Sequence, residues 1–134
     1  MVSGSPVAPL PSTGHLALGA IGERAAEVAY VRRGYRVVAR NWRSRLGELD
    51  LVLARGGVVV ICEVKTRRAR RFGEPWQAVD ARKQAKLRNL AQAFLIVSDL
   101  RPDAVRFDVA SVTVARTLDG GEPDAMVSVF EDAF

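Results

Sequence analysis

A pair of adjacent glycines, Gly56-Gly57, separates two short segments that carry acids. Glu48 and Asp50 precede the glycines, and Glu63 and Lys65 follow them. Two glycines in succession favour a two-residue hairpin turn, because both central positions can adopt positive φ. Counting back from that turn places Asp50 opposite Glu63, and Glu48 opposite Lys65. Because side chains alternate along a strand, we expect these three carboxylates and the ammonium to share one face.

The predicted pair of Asp50 and Glu63 is unfavourable unless a cation or a proton lies between the two carboxylates. Directly opposed residues have Cβ atoms about 4.5–5.5 Å apart, and like charges there are destabilising. Carboxylate oxygens at that separation suit Mg²⁺ or Mn²⁺, and Lys65 would then hold an attacking water or stabilise charge on a phosphate. The alternative is a solvated polar edge with Glu48 and Lys65 as an ordinary pair. A three-residue loop would separate Asp50 from Glu63 across the two faces.

Periodicity and turn residues predict the elements that position these side chains. Two stripes at helical spacing are Leu18, Ile21, Ala25 and Val28, and Lys83, Leu87, Leu90 and Phe94. The predicted elements are helices over 15–33 and from Pro75 or Asp80 to about Val97, strands over 35–45, 47–54, 58–67, 105–114 and 126–130, and a turn over 72–75. This order predicts an α/β fold, a mixed five-stranded sheet with helices packed against it.

We assign residues 14–134 to a single domain and residues 1–13, which hold three prolines and no charge, to a disordered leader. The longest unbroken apolar runs are five residues, whereas a membrane helix needs roughly 20. We therefore expect no membrane association and a cytoplasmic protein. A single cysteine, Cys62, excludes an intrachain disulfide, and one cysteine with one histidine excludes a structural zinc site. Cys62 is expected to be a small buried hydrophobe.

Arginine dominates the charge of the chain, which has 20 basic and 15 acidic residues. The basic excess lies in residues 1–89, where 17 basic and 7 acidic groups give +10, whereas residues 90–134 carry −5. Guanidinium groups match phosphate oxygens geometrically, so the excess predicts contact with nucleic acid. The alternative is that arginine enrichment reflects genome composition and a solvated surface.

Five motifs give the sequence a family resemblance. They are Gly22-Glu23, Arg40-Asn41-Trp42-Arg43, Gly47-Glu48-Leu49-Asp50-Leu51, Glu63-Val64-Lys65-Thr66-Arg67 and Phe72-Gly73. In this order the motifs resemble the YraN-like family of small bacterial proteins, over residues 19–109. That family resembles the PD-(D/E)xK nucleases, which include the Holliday-junction resolvases. The usual proline before the nuclease aspartate is absent, and Leu49 stands in its place.

The resemblance implies a restriction-endonuclease-like fold and a Mg²⁺- or Mn²⁺-dependent endonuclease that hydrolyses phosphodiester bonds in DNA, branched or junction DNA included. By that resemblance Asp50 and Glu63 bind the metal, Glu23 supports it from a helix, and Lys65 is the motif lysine. Glu48 is placed as an auxiliary acid of the catalytic group. Without the resemblance, Glu23 is better interpreted as part of a solvated helix face.

The surrounding cations are assigned to nucleic-acid binding. Arg43, Arg67 and Arg68 are predicted to line a track for the backbone. Lys83 either points to the acids and binds phosphate or extends from the end of a core stripe into solvent. Resolvase-like relatives suggest a homodimer. A different function that keeps the fold and charge is a non-catalytic nucleic-acid-binding module.

Three other side chains are predicted to be structural. Trp42 and Trp76 are expected to pack against the core rather than stack on bases. Asp108 is expected to support the structure through Arg106 and to lie outside the site.

Overall fold

The structure, a computed structural model, describes residues 18–69, 79–115 and 124–134. The predicted leader over 1–13, the turn over 72–75, Trp76 and the alternative helix start at Pro75 lie outside the described residues. The helices are α1 (Leu18–Arg32) and α2 (Ala81–Ser98), and the strands are β1 (Arg36–Ser44), β2 (Gly47–Arg55), β3 (Val58–Arg68), β4 (Ala104–Ala115) and β5 (Asp124–Phe130).

The five strands form one sheet in the order β1-β2-β3-β4-β5. The β3–β4 pair is parallel and the other three pairs are antiparallel, because α2 crosses over between β3 and β4. The predicted α/β fold, a restriction-endonuclease-like mixed five-stranded sheet with helices packed against it, is confirmed. Each described element lies within a few residues of its predicted bounds.

The β2–β3 hairpin has the predicted two-residue turn. Arg55 pairs with Val58, and Gly56 has a φ of 58°, which glycine adopts without a steric cost. The same register continues to the pair of Leu51 with Cys62 and ends there. The turn prediction is therefore confirmed, and the acidic residues lie just beyond the paired part of the hairpin.

Helix α1 covers one face of the sheet, but its buried side differs from the predicted stripe. Ile21, Ala26 and Tyr30 are buried, whereas Ala25 and Val28 are only partly buried. The reason lies at Gly22, where an added Cβ would overlap Oγ1 of Thr66 on β3. The glycine lets the helix backbone approach the strand closely, and this contact turns the Ala26 side of the helix into the core.

Helix α2 covers the opposite face and begins at the later of its two predicted starts. Asp80 is its N-cap, and the Asp80 carboxylate accepts a hydrogen bond of 2.8 Å from the backbone N–H of Lys83. Leu87, Leu90 and Phe94 are buried as the stripe predicted. No helix in the described ranges is long and apolar enough to cross a membrane.

The buried carboxylate of Asp108 on β4 is hydrogen-bonded to α1. Asp108 is fully buried and accepts hydrogen bonds from Tyr30 Oη at 2.7 Å, from Arg106 Nε at 2.9 Å and from the backbone of Asp132 at 3.0 Å. The prediction of a structural Asp108 is confirmed. Cys62 is also buried, as predicted, and burial raises the pKa of its thiol to about 12.

Candidate metal centre

Asp50 lies at the point where β2 separates from β3. At this point the regular alternation of the β2 side chains between the two faces of the sheet is interrupted. Leu51 packs under α1 and Leu49 packs under α2, although strict alternation would place both on one face. The ladder to β3 ends at Leu51–Cys62, and Oδ2 of Asp50 accepts the backbone N–H of Val64 at 2.9 Å. The Asp50 side chain therefore replaces a backbone acceptor where the two strands part.

In the neighbouring strand β1, the alternation of side chains is interrupted at the same level. Arg40 turns towards α1, where its Nε lies 2.6 Å from Glu27, and Trp42 turns towards α2, where its ring packs edge-on against Phe94 at 5.3 Å. The residue between them, Asn41, has a φ of 47°, in the left-handed region. The predicted packing role of Trp42 is confirmed.

Three carboxylates from two elements meet at this point. Glu23 of α1 and Glu48 and Asp50 of β2 each offer an oxygen, and the three oxygens lie within 4.8 Å of one another. All three side chains are half-buried. The structure thus brings together Glu23 and Asp50, which sequence reasoning assigned to the metal, with Glu48, which it treated only as auxiliary.

Asp50 is held in an unfavourable electrostatic setting. Burial is the largest cause that raises the pKa of its carboxyl group, to about 7, and the charge of Glu63 is the second. Hydrogen bonding with Glu63 and the charge of Glu23 raise the pKa further, while the N–H of Val64 lowers it. The predicted conflict between Asp50 and Glu63 is therefore present, and a proton or a cation relieves it.

Glu63 is buried and has two lysines on one oxygen. Nζ of Lys83 lies 3.2 Å from Oε2 of Glu63, and Nζ of Lys65 lies 3.8 Å from it. Of the two alternatives for Lys83, the structure has the side chain directed at the acids. The predicted pairing of Glu48 with Lys65 is wrong, because β2 and β3 have already separated at this level. Glu48 instead pairs with Arg43 of β1.

The predicted nucleic-acid residues divide into two kinds. Arg43 and Lys83 are each paired with an acid of the site, at 3.0 Å to Glu48 and 3.2 Å to Glu63. Arg67 is half-buried and Arg68 is exposed, and neither has an acidic partner in the part of the chain that the structure describes. Two of the four cations are therefore part of the acidic group.

The carboxylate group suits a hard divalent cation. Carboxylate oxygens are the ligands that Mg²⁺ and Mn²⁺ prefer, and three of them lie within 4.8 Å of one another here. Glu23, Glu48 and Asp50 would hold such an ion, with Glu63 beside Asp50. The raised pKa of Asp50 supports the same interpretation, since a positive charge at this point offsets the repulsion.

Comparisons with known proteins cover most of the chain. The sequence model of the Uncharacterised protein family UPF0102 matches residues 22–112, a range that contains every acid of the group. A UPF0102 protein of Symbiobacterium thermophilum is 48% identical over 95 residues, which are 71% of this chain and 80% of the relative. One from Moorella thermoacetica is 43% identical over 116 residues, 87% and 93% of the two chains. One from Rhodococcus opacus is 41% identical over 120 residues, 90% and 98%.

Proposed function

The chain belongs to the uncharacterised protein family UPF0102, the YraN-like family that its motifs resemble, and from that premise we propose that it is a Mg²⁺- or Mn²⁺-dependent endonuclease acting on DNA. Branched or junction DNA is the proposed substrate class. The observation that carries the proposal is Asp50, whose pKa is raised to about 7 beside Glu63 and within reach of two further carboxylates. Local conflicts of this kind concentrate at functional sites.

The acids have different roles in metal binding and in orienting the lysines. Glu23, Glu48 and Asp50 would hold a divalent ion, which when bound would polarise a phosphoryl oxygen as a Lewis acid and lower the pKa of water. Asp50 must be deprotonated to act as a ligand, so binding near neutral pH releases its proton. Glu63, buried beside Asp50, holds two ammonium groups at the edge of the site.

The two lysines supply positive charge where negative charge develops. Lys65 and Lys83 are each 39% exposed, so their ammonium groups are accessible to a phosphate while Glu63 orients them. Lys65 holds the attacking water or the developing phosphorane charge in this proposal, as the motif lysine of the resemblance implies. Arg67 and Arg68 extend the positive charge along β3, where they contact the DNA backbone.

One specific observation favours the alternative of a non-catalytic nucleic-acid-binding module. All four acids already have a partner within the protein, and that of Asp50 is the backbone N–H of Val64. The contacts are Asn41 to Glu23 and Glu48, Arg43 to Glu48, and Lys65 and Lys83 to Glu63. Only cleavage assays separate the two functions, because both bind nucleic acid.

The test is a panel of labelled duplex, flap, four-way, single-stranded and RNA substrates with Mg²⁺ or Mn²⁺. The wild type is expected to cut branched DNA, and Glu63→Gln is expected to bind the same DNA without cutting it. Arg101→Gln is the matched control and retains cleavage, because Arg101 is exposed and its one ion pair among the described residues is with Asp99. Binding with no cleavage under either metal ion would contradict the endonuclease and favour the module.

A homodimer is part of the same proposal. Symmetric paired cuts in a junction need two sites related by a two-fold axis. Sedimentation of the wild type with and without four-way DNA measures the assembly. A monomer that still makes paired cuts would contradict this part of the proposal alone.

A further inference from the structure

Asn41 combines an unusual backbone with an unusual side-chain contact. Of the described non-glycine residues, only Asn41, Asp99 and Asp132 have a positive φ. Asn41 is the one of the three that lies inside a β-strand. A left-handed residue there costs free energy, so strand formation does not account for the conformation of Asn41.

The backbone of Asn41 explains how one strand serves both helices. Asn41 lies between the ladder pairs Arg40–Leu51 and Trp42–Leu49. Its left-handed conformation sends Arg40 to the α1 side and Trp42 to the α2 side. The side chain of Asn41 is thereby placed in the gap where the acids meet.

The side chain joins two acids from different elements. Nδ2 of Asn41 donates a hydrogen bond of 2.8 Å to Oε1 of Glu23 and one of 3.2 Å to Oε1 of Glu48. An amide nitrogen carries two N–H groups, so both are used. A neutral donor offsets the repulsion of two carboxylates without adding a cation that would compete with a metal ion.

We infer that Asn41 is a positioning residue for the divalent ion, which fixes the carboxylates of Glu23 and Glu48 in the orientation that the ion needs. The inference rests on the metal site of the proposed function and not on cleavage. Groups that orient metal ligands typically change affinity by about 10–100-fold when removed. Asn41 itself does not touch the reacting atoms, so its effect passes through the two glutamates.

The variant Asn41→Gly tests the side-chain amide of Asn41 separately from the backbone conformation. Glycine adopts positive φ freely, so the variant retains the left-handed conformation and loses only the two hydrogen bonds. Titration of purified metal-free protein with Mn²⁺, followed by calorimetry, gives the dissociation constant. We expect affinity about tenfold weaker than in the wild type, with a metal-free melting temperature changed little.

Asp99→Gly is the matched control, since Asp99 has a φ of 56° at the C-cap of α2. This variant also places glycine at a left-handed position, but away from the acids. It should leave the Mn²⁺ affinity unchanged. Wild-type affinity in Asn41→Gly would overturn the inference. An equal loss of affinity in Asp99→Gly would also overturn it, because the effect would then come from added chain flexibility.

A second variant covers the case in which Asn41→Gly does not fold. Asn41→Asp has the same shape and tolerates the left-handed region, but at neutral pH it replaces the donor with a carboxylate beside those of Glu23, Glu48 and Asp50. Its metal-free melting temperature should fall more steeply than that of the wild type between about pH 5 and pH 8. A profile parallel to the wild type would overturn the inference.

The outcomes distinguish this inference from the proposed function. A wild type that binds Mn²⁺ but cuts no DNA contradicts the endonuclease and leaves the role of Asn41 standing. A wild type that cuts DNA, with an Asn41→Gly variant of equal Mn²⁺ affinity, contradicts the role of Asn41 alone.

Discussion

Lys83 on α2 and Glu63 on β3 form an ion pair of 3.2 Å that joins the helix to the acidic end of the sheet. The pair exists because Asp80 caps the helix and fixes the first turn, so that Lys83 projects over β3. Lys65 approaches the same carboxylate oxygen only to 3.8 Å. The less closely held lysine is therefore the one freer to serve the reaction.

Removal of the two lysines should have different effects. Lys65→Ala is expected to reduce the single-turnover cleavage rate by roughly 100-fold, because it removes the group that stabilises developing charge. Lys83→Ala is expected to cost about 1 kcal/mol of unfolding free energy and a smaller factor in rate. Arg82→Ala, at an exposed residue in the same helical turn, is the control. Equal rate losses in the two lysine variants would contradict the division of roles.

Asp50 should make the stability of the metal-free protein depend on pH. Its pKa is about 7 when folded and near 3.8 in the unfolded chain, so the folded protein binds the extra proton between these values. The unfolding free energy therefore falls as pH rises from about 4 through about 7. Asp50→Asn, whose amide oxygen can still accept the N–H of Val64, lacks this dependence and should be more stable at about pH 8, on the order of 1–3 kcal/mol. Urea unfolding in a chelator across that range is the measurement, and parallel profiles would contradict it.

Mn²⁺ should raise the melting temperature of the wild type. At a metal concentration 100 times the dissociation constant the gain is about 2.7 kcal/mol, and it should increase above about pH 7 as Asp50 loses its proton. Asp50→Asn should abolish the rise. Asp124→Asn, on β5 at the opposite edge of the sheet, should retain it. A rise that survives in Asp50→Asn would place the ion elsewhere.

Gly22→Ala should destabilise the fold, because a Cβ there overlaps Thr66. We expect a cost of about 1–3 kcal/mol in denaturant unfolding, larger than the gain that alanine brings to a helix. Gly19→Ala in the same helix meets no atom within 4 Å and should be neutral or stabilising. The adjacent Glu23 moves with the helix, so Gly22→Ala should also weaken Mn²⁺ binding. Equal stability of the two alanine variants would contradict the close approach.

Much of the fold followed from local signals. The paired glycines fixed the turn and hence the register of β2 on β3, and Asp80 marked the start of α2. The face change at Asp50 could not be predicted, because the pattern of Leu49 and Leu51 is also that of an ordinary alternating strand. A signal was present in Asn41, since asparagine is depleted in strands and enriched at left-handed positions.

The site was predicted less completely than the fold. Asp50 and Glu63 were recognisable as neighbours from the hairpin alone, and the charge of Glu63 is one cause that raises the pKa of Asp50. The contributions of Glu23 and Lys83 depend on how each helix is rotated about its axis. For α1, the close approach of Gly22 to Thr66 determines this rotation. A sequence stripe does not report such close backbone approaches.

The topology of the sheet gives the acidic end an order of assembly. The β2–β3 hairpin is sequence-local and closes through two glycines, whereas the ion pair of Lys83 with Glu63 requires the first turn of α2 to pack against the sheet. Local hairpins form in about 1–10 µs, and pairings between distant segments follow more slowly. We therefore expect the β2–β3 turn to form before α2 brings Lys83 to Glu63.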